Sequence, residues 1–344
     1  MVEHVPPHVR HSRLAWPVRV DPEGLTGPTR GQARGPAWRR TSQGLYVPAD
    51  VELTPEQRIV EAAAVLRKDE AVTGWAALRW RGGVWFDGAD PITGPRDVPL
   101  LARRDRAAPP GATVSQEFLH PDQILVEDDV PVTIEVRSVV HEMRYAATLG
   151  EAVTALDMAC YSDLVSIAEV TAYVATLGPV TGIQQARDAV LLADENAWSP
   201  QETRMRGVWR MAGLGDVLCN RPMFTLDGRH VGTPDLLQPT IRLIGQYNGA
   251  GHITLAGTAT DVKKDAAFRD LGLEPVTMLA TDWTDLGDFV QRLQAAARRA
   301  ASAPSMRAWT LEPPAWWRPT HTVELRRALD ADQRSRFLRY RRAA

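Results

Sequence analysis

The stretch 199–300 constrains the fold of this chain most, because helix-type and strand-type patterns alternate there in a clear order. A serine–proline helix start at 199–200 is followed by an Asp-Gly turn that predicts a hairpin over 224–232. The elements predicted after it are a strand at 241–247, a helix at 260–271 ended by Gly272, a strand at 274–279 and a helix at 286–300. This order predicts a three-layer α/β unit.

The rest of the chain divides into further segments by pattern. Thr54, Pro55 and Gln57 match a helix start, with the threonine as N-cap and the glutamine as its capping-box partner. A second short helix is predicted at 73–78, strands at 84–86, 98–101 and 130–134, and helices within 135–193. We therefore predict a small N-terminal module at 1–83, a mixed middle region at 84–195, the α/β domain at 196–302 and an arginine-rich tail or helix at 303–344.

Composition excludes several classes of protein. The chain is 44% hydrophobic and 24% charged, which is typical of a folded globular protein and not of a disordered one. No apolar run approaches the ~18 residues of a membrane helix, and the proline-broken start of the chain lacks the apolar segment of a secretory signal. The two cysteines, Cys160 and Cys219, have neither metal-site nor redox-motif spacing. We expect a cytoplasmic protein that makes no membrane contact.

Both ends of the chain are rich in arginine. Seven arginines stand against three acidic residues in 1–44, and eight against three in 318–344, although the whole chain carries a net charge of −2. Arginine binds phosphate through a planar fork of donors, so these ends suit a polyanion such as DNA. A solvated arginine-rich surface explains the same counts equally well. Apolar residues among the C-terminal arginines (Leu325, Leu329, Phe337 and Leu338) predict an amphipathic helix there.

The α/β unit also brings oxygen ligands together. Its element order places Asp235 near the end of one strand, Gln246 on the next strand and Glu202 on the preceding helix. Carboxylates that converge at a strand edge can hold Mg²⁺, which would polarise a phosphodiester and activate a water molecule. By spacing alone the pattern is common, because Glu202 also fits a capping box opened by Ser199 and Asp235 also fits a turn.

Four motifs in this domain carry a resemblance to a known family: SPQETRMR at 199–206, GTPDLL at 232–237, IGQYNGAGH at 244–252 and DVKKDAAFRDLG at 261–272. They resemble the C-terminal domain of actinobacterial proteins similar to very-short-patch-repair endonucleases, of the PD-(D/E)XK restriction-endonuclease-like superfamily. The resemblance implies a restriction-endonuclease-like fold and Mg²⁺-dependent DNA cleavage. It also implies that Glu202 and Asp235 hold the metal and that His252 assists the water or the leaving group.

Lys264 stands where the family pattern has arginine and Phe268 where it has leucine, and two further departures are more serious. Gln246 stands where the family has a strand glutamate, and Asn248 stands where it has an aspartate. Each replacement keeps the approximate size but removes a negative charge, so a site of up to four carboxylates falls to two. We expect metal binding and phosphodiester hydrolysis to be weak or lost. His252 is equally well explained as an exposed histidine without a catalytic role.

The N-terminal half carries a second resemblance, in TRGQAR at 29–34, WRRTSQGLYVP at 38–48, QRIVEAAA at 57–64 and VTGWAALR at 72–79. These motifs resemble the front end of the same actinobacterial proteins, which is similar to the winged-helix region of AbiEi-type antitoxin regulators. The resemblance implies DNA binding, with 44–48 as the wing and Arg39 and Arg40 beside it. Glycines and prolines between Gly27 and Pro36 interrupt the stretch where a recognition helix would lie.

These observations predict an α/β protein (α+β multidomain) with a winged-helix-like module, a mixed middle region and a restriction-endonuclease-like domain. The leading hypothesis is a DNA-interacting protein with weak or lost endonuclease activity; the alternative is a non-enzymatic transcriptional regulator of the antitoxin type. A protein partner, such as a toxin, or a second copy of the chain remains a third alternative. Arg39, Arg40, Lys263 and Lys264 are the candidate phosphate contacts, although a solvated helix face also explains the two lysines.

Overall fold

The computed structural model describes residues 14–90, 93–104, 107–249, 266–303 and 308–342. The protein is a mixed α/β protein with several separate sheets. It divides into two compact units, and the boundary falls between Leu191 and Leu192. None of the helices in the described part of the chain combines the length and apolar character required to span a bilayer.

The N-terminal unit contains a three-stranded, a five-stranded and a two-stranded sheet, together with a group of helices after residue 134. Its strands are β1 Val18–Arg19, β2 Trp38–Ser42, β3 Leu45–Pro48, β4 Ala71–Val72, β5 Ala89–Asp90, β6 Gly94–Pro95, β7 Val98–Leu101, β8 Ala112–Ser115, β9 Ile124–Glu127 and β10 Val130–Thr133. Its helices are α1 Pro55–Ala63, α2 Gly74–Trp80, α3 Glu135–Tyr145, α4 Leu149–Tyr161, α5 Ile167–Thr176 and α6 Ile183–Leu192, with 3-10 turns at Gln32–Arg34 and Pro121–Gln123.

The predicted start of helix α1 is confirmed, but its capping box is not. The Thr54 side chain accepts a hydrogen bond from the Gln57 N–H at 3.2 Å, and Pro55 opens the helix. The Gln57 carboxamide instead bonds the backbone of Ala15, accepting from its N–H at 2.9 Å and donating to its carbonyl at 2.8 Å. Gln57 therefore ties the chain before β1 to the helix.

The five-stranded sheet joins residues from both sides of position 83. Its order is β8-β7-β4-β10-β9, with Val72 of the central β4 opposite Val132 in parallel register and opposite Leu100 in antiparallel register. The strand predicted at 84–86 is wrong: these residues form a turn, in which the Phe86 N–H donates to the Gly83 carbonyl at 3.5 Å. The turn that begins at the glycines after α2, Gly82 and Gly83, continues into these residues.

The described residues of the C-terminal unit form two sheets, with orders β11-β14-β15-β16 and β13-β12-β17. Its strands are β11 Leu218–Cys219, β12 Met223–Thr225, β13 His230–Gly232, β14 Leu236–Gln238, β15 Leu243–Asn248, β16 Glu274–Leu279 and β17 Trp309–Thr310. Its helices are α7 Pro200–Met211, α8 at 266–270, α9 Leu286–Ser302, α10 Val323–Arg327 and α11 Ala331–Phe337, with 3-10 turns at Ala280–Trp283 and Arg339–Arg342. The predicted helices, hairpin and strands in 199–300 occur in the predicted order wherever those residues are described, but β11 and β14 were not predicted. Asp235, predicted near the end of a strand, instead lies immediately before β14.

Close packing of α7 on β15 holds the sheet and the first helix of this unit together. A Cβ at Gly245 of β15 would lie 2.6 Å from Cζ2 of Trp209, so only glycine lets the indole approach the strand this closely. β15 runs antiparallel to β14 and parallel to β16. Helix α8 ends as predicted at Gly272, which has a φ of +76°, and the Leu273 N–H bonds back to the Phe268 carbonyl at 3.1 Å.

The C-terminal segment is part of the same unit. Strand β17 pairs with β12, and Trp309 belongs to the core cluster that also holds Met223 and Ile244. The single amphipathic helix predicted for this segment is wrong, because two short helices, α10 and α11, are separated at 328–330. Asp330 caps the second helix by accepting the Gln333 N–H at 2.8 Å, which starts a new helix there.

Candidate functional site

Glu202 lies in the first turn of α7, and its carboxyl group is buried. The Ser199 hydroxyl caps the helix by accepting the Glu202 N–H at 3.2 Å. Glu202 Oε2 accepts from the Trp198 N–H at 2.9 Å and from Asn220 Nδ2 at 2.6 Å, while Oε1 lies 3.1 Å from the Ser199 hydroxyl. The residue is 4% exposed. Glu202 is therefore part of the hydrogen bonding at the start of α7 and is also a residue of the candidate site.

Burial and a neighbouring carboxylate change the acidity of Glu202. Burial raises its pKa most and the negative charge of Asp235 raises it further, whereas the hydrogen bonds from Trp198, Asn220 and Ser199 oppose them. The result is a pKa of about 8. Glu202 therefore favours its protonated form at neutral pH.

Two asparagines that the sequence did not single out hold this carboxyl group in place. Asn220, which has a φ of +46°, also donates from Nδ2 to the Asn196 carbonyl at 2.8 Å. Asn196 Nδ2 in turn donates to the Cys219 and Asn220 carbonyls at 2.8 and 2.9 Å. An isolated asparagine before a helix or after a short strand carries no signal of this kind in sequence, because its partners are groups distant along the chain.

The β14–β15 hairpin brings Asp235 and Gln246 to the same end of the sheet. Leu236 pairs with Gly245, so Asp235, the residue before Leu236, and Gln246, the residue after Gly245, are neighbouring positions. Asp235 Oδ2 accepts the backbone N–H of Tyr247 at 2.6 Å. Gln246 Nε2 is buried and donates no hydrogen bond to any described group. The structure thus brings Glu202 and Asp235 together. Gln246 lies on the neighbouring strand, at the position next to Asp235.

The remaining predicted site residues do not join this group. His252, Lys263 and Lys264 lie outside the described residues. Arg39 and Arg40 lie on β2 of the N-terminal unit. Arg39 donates both terminal amino groups to the Glu61 carboxylate at 2.7 Å, a hydrogen-bonded pairing that raises the pKa of the guanidinium. Arg40 is exposed and uses Nε to bond the Ser42 carbonyl at 3.0 Å.

The residues present fit a divalent cation poorly. Among the described residues, no group of three or more histidine, cysteine, aspartate or glutamate side chains could hold a metal ion. Of the two carboxyl groups that meet, Glu202 is protonated at neutral pH and its oxygens already have hydrogen-bond partners. Gln246 contributes a neutral amide. Mg²⁺ favours charged oxygen ligands, so this donor set provides one carboxylate where several are needed.

Comparisons with other proteins give no assignment. No protein-family model matches the chain, and neither a curated protein nor a solved structure matches it. Function is therefore inferred from the chemistry of the site. A buried carboxyl group with a raised pKa, held by three hydrogen-bonding partners beside a second carboxylate, can bind or release a proton near neutral pH.

Proposed function

We propose that the C-terminal unit is a DNA-interacting domain with a restriction-endonuclease-like arrangement, in which metal-dependent hydrolysis is weak or lost. One observation carries this proposal: buried Glu202 on the first helix lies beside Asp235 at the start of β14, at the end of the hairpin that bears Gln246. The order of elements supports it as well. A helix, an antiparallel hairpin, a helix and a strand parallel to the second hairpin strand follow one another.

The weakness of the proposed activity follows from charge. An active site that assembles Mg²⁺ from a helix glutamate, a strand aspartate and a strand glutamate needs these groups ionised. Here glutamine replaces the last of them, and Glu202 has a pKa of about 8. A cation that binds must displace the Glu202 proton, which costs free energy at neutral pH. DNA binding without a metal does not require Glu202 to lose its proton.

The N-terminal unit supports a weaker proposal of a winged-helix-like module. The antiparallel β1-β3-β2 sheet provides a hairpin at 38–48, and Arg40 on it is exposed. Between residues 14 and 53, however, the one helical turn described is the three-residue 3-10 turn Gln32–Arg34. A recognition helix is therefore missing from this described stretch, and the wing is the element left to contact DNA.

The decisive experiment is cleavage of supercoiled plasmid with Mg²⁺ or Mn²⁺ by three proteins. They are the wild type, Asp235→Ala, and the double variant Gln246→Glu with Asn248→Asp, which restores both carboxylates. We expect little or no cutting by the wild type, cutting by the restored variant, and none by Asp235→Ala. Efficient cutting by the wild type that Asp235→Ala abolishes would contradict the expected loss of activity.

The second candidate function is a non-enzymatic regulator of the antitoxin type. The replacement of two carboxylates by Gln246 and Asn248 favours it, since a fold used only for binding needs no metal. It predicts that the restored variant stays inactive, and that all three proteins bind duplex DNA without metal and with a steep salt dependence. Absence of both cleavage and binding would leave a protein partner as the remaining candidate.

A further inference from the structure

A cluster of aromatic side chains forms one surface of the C-terminal unit, and the candidate site does not use it. This aromatic platform consists of Phe224, His230, Trp316, Trp317 and Phe337. Phe224, Trp317 and Phe337 are buried and form its base, while Trp316 and His230 are exposed. It thus joins the β12–β13 hairpin to the C-terminal segment that sequence reasoning treated as a tail.

Trp316 is exposed but firmly supported. It is 46% exposed, and its ring packs nearly perpendicular to Phe224 at 6.0 Å and to Trp317 at 5.6 Å between centroids. His230 stacks on Trp317 at 5.2 Å with an angle of 21° between the ring planes. An indole is usually well buried, and one held in place by neighbouring rings loses little conformational entropy when a ligand stacks on it.

Backbone contacts fix the two segments that carry these rings. The Trp317 N–H donates to the Pro314 carbonyl at 2.9 Å, which makes a turn just before the aromatic pair. In the hairpin, the Thr225 N–H donates to the Arg229 carbonyl at 2.9 Å, and Thr225 Oγ1 accepts the Arg229 N–H at 3.0 Å. The two segments meet where a Cβ on Gly228 would lie 3.3 Å from Pro314 Cβ. The platform is therefore preformed.

Exposed arginines lie beside the platform. Of the eight arginines in the segment 308–342, Arg326 and Arg341 are buried, whereas Arg318, Arg327, Arg336 and Arg339 are exposed, as are the four acidic residues of the segment. The Arg336 guanidinium lies 5.0 Å from the centre of the Phe337 ring, which itself lies 5.7 Å from Trp317. Arg229 and Arg318, next in sequence to His230 and Trp317, are exposed. Aromatic faces beside arginines are the two components of surfaces that bind unpaired bases and their phosphates.

We propose that the aromatic platform binds single-stranded nucleic acid, with an unpaired base stacked on Trp316 and the backbone phosphates near Arg336 and Arg318. The bases of a duplex are stacked on each other and do not present their faces, so the platform selects an unpaired strand. The exposed Arg229, Arg318 and Arg336 beside the rings favour an anionic occupant over an apolar protein partner. This inference goes beyond the proposed function, because it requires neither a metal ion nor Asp235.

The test is fluorescence anisotropy of a labelled oligo(dT) strand, without divalent metal, against full-length variants. Stacking contributes ~1–3 kcal/mol per base, so Trp316→Ala should weaken binding about 5- to 150-fold. Trp316→Phe should retain most of the affinity, and Trp316→Leu, which is apolar but not planar, should lose it. The matched control is Trp16→Ala, which removes a 42%-exposed tryptophan of the other unit and should change nothing. Circular dichroism checks that each variant folds.

Charge and location are tested separately. Arg336→Gln should reduce the slope of log affinity against log salt by about 0.7, the value for one phosphate of a single strand. Asp235→Asn should bind oligo(dT) like the wild type, whatever its effect on plasmid cleavage. The proposal is overturned if the wild type fails to bind oligo(dT) at low salt, or if Trp316→Leu binds as well as the wild type. Equal weakening of duplex binding by Trp316→Ala, or loss of oligo(dT) binding in Asp235→Asn, overturns it too.

Discussion

At the scale of single residues, the unusual group is a glutamic acid that the fold keeps protonated. Glu202 is buried next to Asp235, and both effects raise its pKa, to about 8. Its three hydrogen-bonding partners all donate to it and oppose the rise: Oε2 accepts from the Trp198 N–H and from Asn220 Nδ2, and Oε1 accepts from the Ser199 hydroxyl. The sequence could predict this residue as a cap and as a site candidate. It could not predict its protonation, because Asn220 and Asp235 reach it only through the fold.

Glu202→Gln should therefore remove a pH dependence of stability. The folded protein keeps the Glu202 proton up to about pH 8, whereas the unfolded chain releases it near the ordinary value of 4.5. As pH rises between those values the wild type therefore loses the stability that the protonated group contributes. The glutamine oxygen can accept the two N–H bonds that Oε2 accepts in the wild type, whereas the Ser199 hydroxyl must change from donor to acceptor to bond Nε2.

The measurement is urea unfolding of the wild type and Glu202→Gln at several values between pH 5 and 7.5. Taking the difference between the two proteins cancels the titrating groups that do not interact with residue 202. We expect the stability of the variant relative to the wild type to rise steadily with pH. A difference that stays constant over this range would mean that Glu202 ionises normally.

At the scale of elements, the sequence correctly predicted the helices and strands whose ends are marked by caps or turns of neighbouring residues. Thr54, the Asp227-Gly228 turn and Gly272 mark their boundaries through caps and turns formed by neighbouring residues. The strand predicted at 84–86 was wrong because three consecutive apolar residues can occur in a turn as well as in a strand. The division of the C-terminal helix at Asp330 was missed because the apolar spacing continued across the cap.

Gly245→Ala tests the contact that joins the candidate site's helix to its strand. The new methyl group would meet Trp209 at 2.6 Å and Leu236 at 3.3 Å, so β15 or the indole must move. Overpacking of this kind costs ~1–3 kcal/mol in free energy of unfolding. Gly207→Ala is the matched control: it lies in α7 with open space around it, and should stabilise by ~0.5–1 kcal/mol. Urea unfolding of both variants checks the opposite signs; equal effects would refute this view of the packing.

At the scale of the whole molecule, the chain divides into two compact units between Leu191 and Leu192, and residues 308–342 belong to the C-terminal unit. Composition alone makes this segment look like a solvated arginine-rich tail. Its structure depends on long-range pairs, such as Trp309 opposite Thr225 and Phe337 against Trp317. Such pairs leave no periodic signal in a sequence. An amphipathic pattern could predict that Phe337 faces a core, but not which core.

Phe337→Ala should therefore destabilise the C-terminal unit and leave the other unchanged. Phe337 is 4% exposed in the base of the aromatic platform, and a buried phenylalanine replaced by alanine costs ~3–5 kcal/mol. Hydrogen exchange should speed up at the amides of β12 and β15 and stay unchanged at those of β7 and β10. Leu226→Ala, at a residue 73% exposed, is the control and should change protection by less than ~0.5 kcal/mol.

Because exchange reports each strand separately, faster exchange in β7 as well would show that the two units unfold together. Unchanged protection in β12 would show instead that the C-terminal segment is not part of the unit's core.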